Sequence, residues 1–399
     1  MKRNPSQTKI KEVLTRNVAE ILPSRAGLES LMKKKKIRLY LGVDPTGSRL
    51  HLGHTIVLRK IQEFADLGHE VILVVGTGTV LAGDPSQRGK ARDRISQAEI
   101  AQNIKTWKSQ VKKIIDPTKV KIKYNGQWLL KLGLKDIINI ASNISAVKLF
   151  QRDMFQERIK RGDTVWLHEA LYPLLQGYDS VALDTDLEIG GTDQVFNMLI
   201  GRELQKKMKN REKYVLTCPM LLGIDGKQMS KSSGNCVWLA DSADQMFGKI
   251  MSISDNLMIS FFELLTSVPR ETIAKYEKDM QSGRVNPRDL KKILAVEIVS
   301  FYHSKDEAVK AAKEFERVFR EKEAPSNVLK VKLSEKSMNI LDLLVRLELV
   351  SSKSEAKRLV VQNGVKIGGQ TENNWQKTVE LKKGLVVQAG KRRFAEIVV

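Results

Sequence analysis

Apolar positions along the chain follow two rhythms. A short apolar run at 37–43 predicts a strand, and the fully apolar run at 71–75 predicts one of the buried parallel kind. Between them, Ile56, Val57, Ile61 and Phe64 recur at helical spacing over 55–67, and Gly68 follows as a helix-ending residue. Strand, helix and strand at this spacing predict a βαβ unit. The pattern continues with an amphipathic helix at about 93–115, a strand at 120–124 ending in Asn125-Gly126, helical stretches near 135–142, 145–161 and 168–179, and a short strand at 187–189. Residues 1–36 read as helical, punctuated at Pro23, and the Lys33–36 run suits a solvated helix end. From 244 to 321 the pattern is almost wholly helical, with Pro269 and Pro287 near helix starts. Glu323-Ala324-Pro325-Ser326-Asn327 has the composition of a linker. Beyond it, Ile340, Leu341, Leu344 and Val345 form a helical row, and Ser352 with Glu355 forms the spacing of a capping box. Asn363-Gly364 then opens a turn and short strand. The expectation is an α/β parallel-sheet domain, an α-helical domain and a small α+β domain.

Composition narrows the classes. The 399 residues suffice for two or three domains. No apolar run approaches the ~20 residues that span a bilayer, and Met1-Lys2-Arg3-Asn4-Pro5 lacks the apolar core of a signal peptide. Two cysteines, Cys218 and Cys236, without metal-type spacing point to a reducing compartment, with neither a disulfide framework nor structural zinc. The net charge of +22 favours a polyanionic partner, nucleic acid or an anionic membrane, or else reflects lysine enrichment throughout a proteome. From Ser351 onward ten Lys and Arg stand against four Glu.

The chemistry concentrates at 40–54, Tyr-Leu-Gly-Val-Asp-Pro-Thr-Gly-Ser-Arg-Leu-His-Leu-Gly-His, where a strand passes through a tight turn into a helix. Free backbone N–H groups and the helix dipole meet at such a junction, which suits phosphate. With five histidines and 26 glycines in the chain, His-x-Gly-His arises by chance roughly 0.004 times. Gly76 to Ser86 is a second glycine-rich stretch, and it lacks the lysine of a P-loop. In the helix at 168–179, Tyr172, Gln176 and Asp179 share one face while Leu171, Leu174, Leu175 and Tyr178 are apolar; a buried polar row needs partners, and a polar ligand is one candidate. Gly190-Gly191-Thr192-Asp193-Gln194 repeats the strand-to-helix glycine turn, and 225–235 is a polar, glycine-bounded loop with two lysines.

Two signals need one explanation. Imidazoles at the first helix start and a lysine on the loop after the last strand make a clamp for a triphosphate. His51-Leu52-Gly53-His54 and Met229-Ser230-Lys231-Ser232 resemble the paired signatures of class I aminoacyl-tRNA synthetases. Tyr40 to Thr46, Gly83-Asp84-Pro85-Ser86, Tyr172 to Asp179 and Gly190 to Gln194 narrow the likeness to bacterial tyrosyl-tRNA synthetases, over nearly the whole chain and least in the first 35 residues and in 244–330. The last segment looks like the S4-type RNA-binding module that ends those enzymes.

The resemblance implies a Rossmann-like catalytic domain at 1–225, a signature loop and α-helical anticodon-recognition domain at 226–325, and an S4-like domain at 334–399. His51, His54 and Lys231 would be catalytic. Tyr40 and Asp179 would bind the phenol of L-tyrosine, a pairing that a hydroxyl satisfies and a bare ring does not. Asp84, Tyr172 and Gln176 would receive its α-ammonium, and Gln194 would lie near its carboxylate. Gly42, Asp44, Gly53, Gly191, Asp193, Lys227, Met229 and Lys231 would hold ATP. Arg88, Arg92, Lys353, Lys357 and Arg358 would meet tRNA(Tyr). ATP would enter with Mg²⁺ as substrate, with no tightly bound cofactor and no resident metal. A cytoplasmic homodimer paired through about 130–160, without membrane contact, completes the expectation. The chain departs from the family pattern at Gln228, where the second signature usually begins with lysine, and Lys227 stands one residue earlier. Leu41 also differs from the smaller or polar residue of some relatives. Three alternatives remain at this point: a tryptophanyl sibling, a catalytically idle RNA-binding relative, and a nucleotidyltransferase with His-x-Gly-His. Tyrosine-dependent ATP–pyrophosphate exchange separates them.

Overall fold

Six strands, β1 (Glu20–Leu22), β2 (Arg38–Val43), β3 (Glu70–Val75), β4 (Val120–Tyr124), β5 (Leu187–Gly191) and β6 (Tyr214–Cys218), form one sheet in the order β1-β6-β5-β2-β3-β4. The computed structural model describes residues 7–85, 95–229, 233–319, 329–390 and 393–398. β2 to β6 are mutually parallel, and β1 pairs antiparallel with β6 at one edge. β3 is buried from Val71 onward, as a parallel strand covered on both faces must be. The chain winds from β2 toward β3 and β4 on one side, and β5 and β6 lie on the other. The sheet therefore reverses direction between β2 and β5, and crevices open at the carboxyl ends of strands at such a point.

β1 corrects the helical expectation for 1–36. Helices do form at Gln7–Val13 and Arg25–Lys34, but Glu20, Ile21 and Leu22 pair with Thr217, Leu216 and Val215. Three residues carry no period of their own, and their hydrogen bonds come from a strand nearly two hundred positions away. The other elements match their patterns with shifted ends. The helix after β2 is Leu52–Asp66, followed by Gly68 at φ +87°, where glycine avoids the Cβ clash. The amphipathic helix is Gln97–Val111, and the stretch 145–161 divides into Ala146–Phe150 and Asp153–Lys160.

The helix Leu167–Leu183 carries the polar row. Its start is secured by Glu169, which accepts the Trp166 backbone N–H at 2.9 Å and receives a two-pronged bond from buried Arg158. It lies against the helix Val195–Lys209 with glycine facing glycine: a Cβ on Gly177 would come 3.0 Å from the backbone nitrogen of Gly201. That close approach brings Tyr172, Gln176 and Asp179 over the ends of β2 and β5.

The chain divides into two compact units, Met1–Ala308 and Val309–Val399. The helices Ala243–Met251, Met258–Leu265, Arg270–Gln281 and Pro287–Tyr302 belong to the first. They are tied to its sheet layer by Tyr302, whose hydroxyl donates to Thr55 Oγ1 at 2.7 Å, and by Arg16, which donates to the carbonyls of Thr266 and Val268. The second unit packs the helices Ile340–Arg346 and Lys353–Val361 on a five-stranded sheet, over a core that includes Leu343, Leu344, Val360, Val387 and Ile397. Ser352 caps the second helix by accepting from Glu355 N at 3.2 Å, and Glu355 reaches back to Ser351 at 2.9 Å. The linker-like stretch 323–327 lies outside the described residues.

Candidate active site

A cleft of about 270 Å³ opens over the carboxyl ends of β2 and β5. Gly42 and Asp44 line it from the end of β2, with His54 in the first turn of the following helix. Gly190, Gly191, Asp193 and Gln194 line it from the end of β5. Tyr172, Gln176 and Asp179 close it from the helix Leu167–Leu183, and Asp84 from the loop beyond β3. Residues more than a hundred positions apart thus share one cavity at the reversal point.

Asp179 is 2% exposed, and both its oxygens have donors: Trp128 Nε1 to Oδ1 at 2.8 Å and Asn125 Nδ2 to Oδ2 at 3.1 Å. Burial pushes its carboxyl up to about 8, against the opposing pull of those two bonds. Tyr172 donates to Asp44 Oδ2 at 3.0 Å, and Thr79 donates to Asp44 Oδ1 at 2.6 Å. Burial first, then Asp44, raises the Tyr172 hydroxyl well above its ordinary value. The Gln194 amide donates to Asp84 and to Asp193, each at 2.9 Å. Asp44, Asp84 and Asp193 around a small polar cavity make a receptor for a cation such as an ammonium.

Tyr40 stands apart from the cleft. It is wholly buried, and its hydroxyl lies 2.8 Å from Ser180 Oγ. Burial and then Glu188 raise it well above the ordinary tyrosine value. His51 and His54 meet with ring centres 3.8 Å apart, and His51 N–H donates to His54 Nδ1 at 3.2 Å across the helix start. Gly53 leaves room for this: a Cβ there would stand 3.0 Å from the His51 ring. The histidine pair also meets the segments that flank the 225–235 loop, because Leu221 borders Gly53 and Trp238 bridges to His51. The loop is tied at its base by Asn235, which donates to Asp225 Oδ1 at 2.8 Å and to the Gln228 carbonyl at 3.1 Å. Lys227 is exposed, and Met229 is buried. Lys231, Arg88 and Arg92 lie outside the described residues.

Residues 32–320 match the family model of class I tRNA synthetases (W and Y), and 319–397 match the tyrosine--tRNA ligase SYY-like C-terminal domain. The tyrosine--tRNA ligase of Thermotoga maritima is 44% identical over 387 residues, which cover 97% of this chain and 96% of that one. That of Carboxydothermus hydrogenoformans is 42% identical over 398 residues, 97% of each. The chain belongs to the tyrosyl-tRNA synthetase family. Solved structures repeat the synthetase fold at lower identity. A C-terminally truncated mitochondrial tyrosyl-tRNA synthetase of Aspergillus nidulans superposes with a TM-score of 0.65 at 21% identity, over 78% of this chain and 98% of that one. A tyrosyl-tRNA synthetase of Archaeoglobus fulgidus complexed with L-tyrosine gives 0.62 at 20%, over 77% and 99%.

In this synthetase fold, sequence reasoning missed the residues that hold the acids. Asn125, 1% exposed, bonds Gly78, Thr79 and Asp179 at once, and Trp128 follows on the short helix Gly126–Leu129. The available signal was their position directly after β4, at the same strand ends as the rest of the cleft. Arg152, whose ring neighbour is Phe196 at 4.5 Å, was missed as well; burial lowers its guanidinium and Asp84 supports it. In the second unit of the synthetase chain, Lys353 pairs with Asp342 at 2.5 Å and Lys357 lies 4.0 Å over the Trp375 ring, one helical turn away on the same face. Arg358 is exposed on that helix.

Proposed function

We propose that the chain activates L-tyrosine with ATP and transfers it to tRNA(Tyr), with the residues of the cleft in the roles that follow. The observation that carries this assignment is Asp179, a buried carboxylate with a donor on each oxygen at the floor of the cleft, beside the acids that suit an ammonium. Asp179 accepts the substrate phenol. Tyr40 is its second partner, exchanging its bond to Ser180 for one to the phenol. Asp84, Tyr172 and Gln176 take the α-ammonium, and Gln194 lies toward the carboxylate. Gly42, Asp44, Gly53, Gly191, Asp193, Lys227 and Met229 bound the nucleotide, which enters as its magnesium complex with the ion on the phosphate oxygens.

In the first step a carboxylate oxygen of tyrosine attacks the α-phosphorus of ATP, and pyrophosphate leaves from the opposite side. His51, His54 and Lys231 stabilise the charge that gathers on the phosphate oxygens, and no side-chain nucleophile takes part. In the second step a hydroxyl of the terminal tRNA ribose attacks the acyl carbon and AMP leaves. Arg88, Arg92, Lys353, Lys357 and Arg358 serve the RNA through phosphate contacts, the helical part at 226–325 serves the anticodon end, and 334–399 is the RNA-binding module. Lys357 stacked on Trp375 supports a basic, aromatic RNA surface. A homodimer is supported by large apolar side chains left exposed at Leu130, Leu134, Ile138, Val147, Trp166 and Leu167. No described helix is long and apolar enough to cross a membrane. A reaction that draws on ATP and tRNA supports a cytoplasmic location.

ATP–pyrophosphate exchange tests the assignment. Exchange is expected with tyrosine and not with tryptophan, phenylalanine or no amino acid; exchange driven by tryptophan or needing no amino acid refutes it.

A further inference from the structure

Behind the cleft lies a second layer of polar groups that the two-step reaction leaves without a role. Glu188 on β5 and Lys213, the residue before β6, are 1% and 0% exposed and form an ion pair through Glu188 Oε2. Lys213 Nζ also donates to Ser180 Oγ at 2.7 Å, and Ser180 is the partner of Tyr40. Glycine at 201 makes space for this contact, since a Cβ there would come 2.7 Å from Lys213 Nζ and 2.8 Å from Ser180 Oγ. The other oxygen of Glu188, Oε1, accepts from Gln176 Nε2 at 3.2 Å. Of these five residues, Gln176 alone lines the cleft. Its remaining polar atom, Oε1, is buried and has no hydrogen-bond partner among the described residues.

An amide end has one accepting and one donating face, and its neighbours decide which is turned where. An ionised carboxylate only accepts, so Glu188 takes the nitrogen of Gln176 and leaves the oxygen for a ligand. A protonated carboxyl could instead donate to Gln176 Oε1, and the amide would turn over and offer its N–H groups to the substrate. Lys213 holds the other oxygen of Glu188.

We propose that Glu188, held in place by Lys213, is a positioning residue for the amino-acid substrate, fixing the Gln176 amide with Oε1 as an acceptor for the α-ammonium. This rests on the tyrosine-activating assignment. The chemical class selected is a primary ammonium next to the carboxylate, and the buried pair sets the polarity of the group that meets it.

Two probes divide the substrate. Tyrosinol keeps the phenol and the ammonium; 3-(4-hydroxyphenyl)propionate keeps the phenol and carboxylate without the ammonium. In equilibrium titrations, Glu188→Gln is expected to weaken tyrosinol binding by about tenfold or more, the scale of a hydrogen bond to a charged group, and to leave the propionate within about twofold. The double variant Glu188→Gln with Lys213→Met, which leaves no buried charge unpaired, is expected to give the same split and serves where the single variant does not fold. Equal weakening of both probes, or no weakening of tyrosinol, overturns the positioning role and leaves the enzyme assignment standing. A wild-type protein that fails to bind tyrosinol and shows no tyrosine-dependent exchange overturns both.

Discussion

Asp179 is 2% exposed with a donor on each oxygen, whereas Lys227 stands exposed on a loop whose base is tied by Asn235. The first belongs to a floor built from three separate segments: the ends of β3 and β4 supply Thr79, Asn125 and Trp128, and the helix Leu167–Leu183 supplies the carboxylate. The second belongs to a hydrated turn with Gly226 at φ +79°. A buried floor has its hydrogen bonds formed before any ligand arrives, so it discriminates by what it leaves unpaired when the wrong group enters. A solvated lysine loop does little for the resting site and acts on charge that develops during reaction. On the proposed assignment, the contrast separates binding of the amino acid from chemistry at the phosphate.

Lys231→Ala is expected to give the largest effect. Removing one charge-stabilising donor typically slows the chemical step by ~10²–10³. Pre-steady-state measurement should show slow adenylate formation with tyrosine affinity unchanged. Normal activation with poor tyrosine binding would place the loop in the amino-acid site and erase the contrast. Asp179→Asn probes the other side with a smaller effect. An amide cannot accept from Asn125, Trp128 and a phenol together, so tyrosine affinity should fall about 10- to 100-fold, the scale of leaving a buried polar group unsatisfied. Phenylalanine, which brings no hydroxyl, should lose little. A parallel loss for both amino acids in competition titrations would make Asp179 a packing residue.

The same contrast governs how much was legible beforehand. β2 and β3 stood out because parallel strands are apolar along their length, and the helix between them because its apolar residues recur at helical spacing. His51, Gly53 and His54 were legible as a rare local pattern, and the geometry supplies its reason, with glycine making room for the first imidazole. β1 was not legible, because its pairing with β6 is wholly nonlocal. Asn125 read only as the end of a strand and Trp128 carried no signal; their work depends on which carboxylate the fold brings above them. Glu188 lay unremarked inside the short strand at 187–189 and Lys213 in no motif; that they pair in the interior depends on how the fold brings β5 and β6 together. Tyr40 was found by its place in a motif, and its bond to Ser180 could not be.

The last test reads stability against pH. The Asp179 carboxyl stands at about 8 in the folded chain against an ordinary value of 3.8. Between those values the folded state holds a proton that the unfolded state has released, so the unfolded chain binds fewer protons and stability falls as pH rises. The contribution is fully present below about 4, is lost as pH rises through about 8, and declines by at most about 1.4 kcal/mol per pH unit between them. Asp179→Asn removes this titration. The stability of the wild type relative to that variant, from urea unfolding without ligand, should therefore decline steadily from pH 5 to pH 8. A flat difference would mean that the bonds from Asn125 and Trp128 outweigh burial and hold Asp179 ionised at rest. The floor would then resemble the loop more closely than its burial implies, with a charge already standing in the empty cleft.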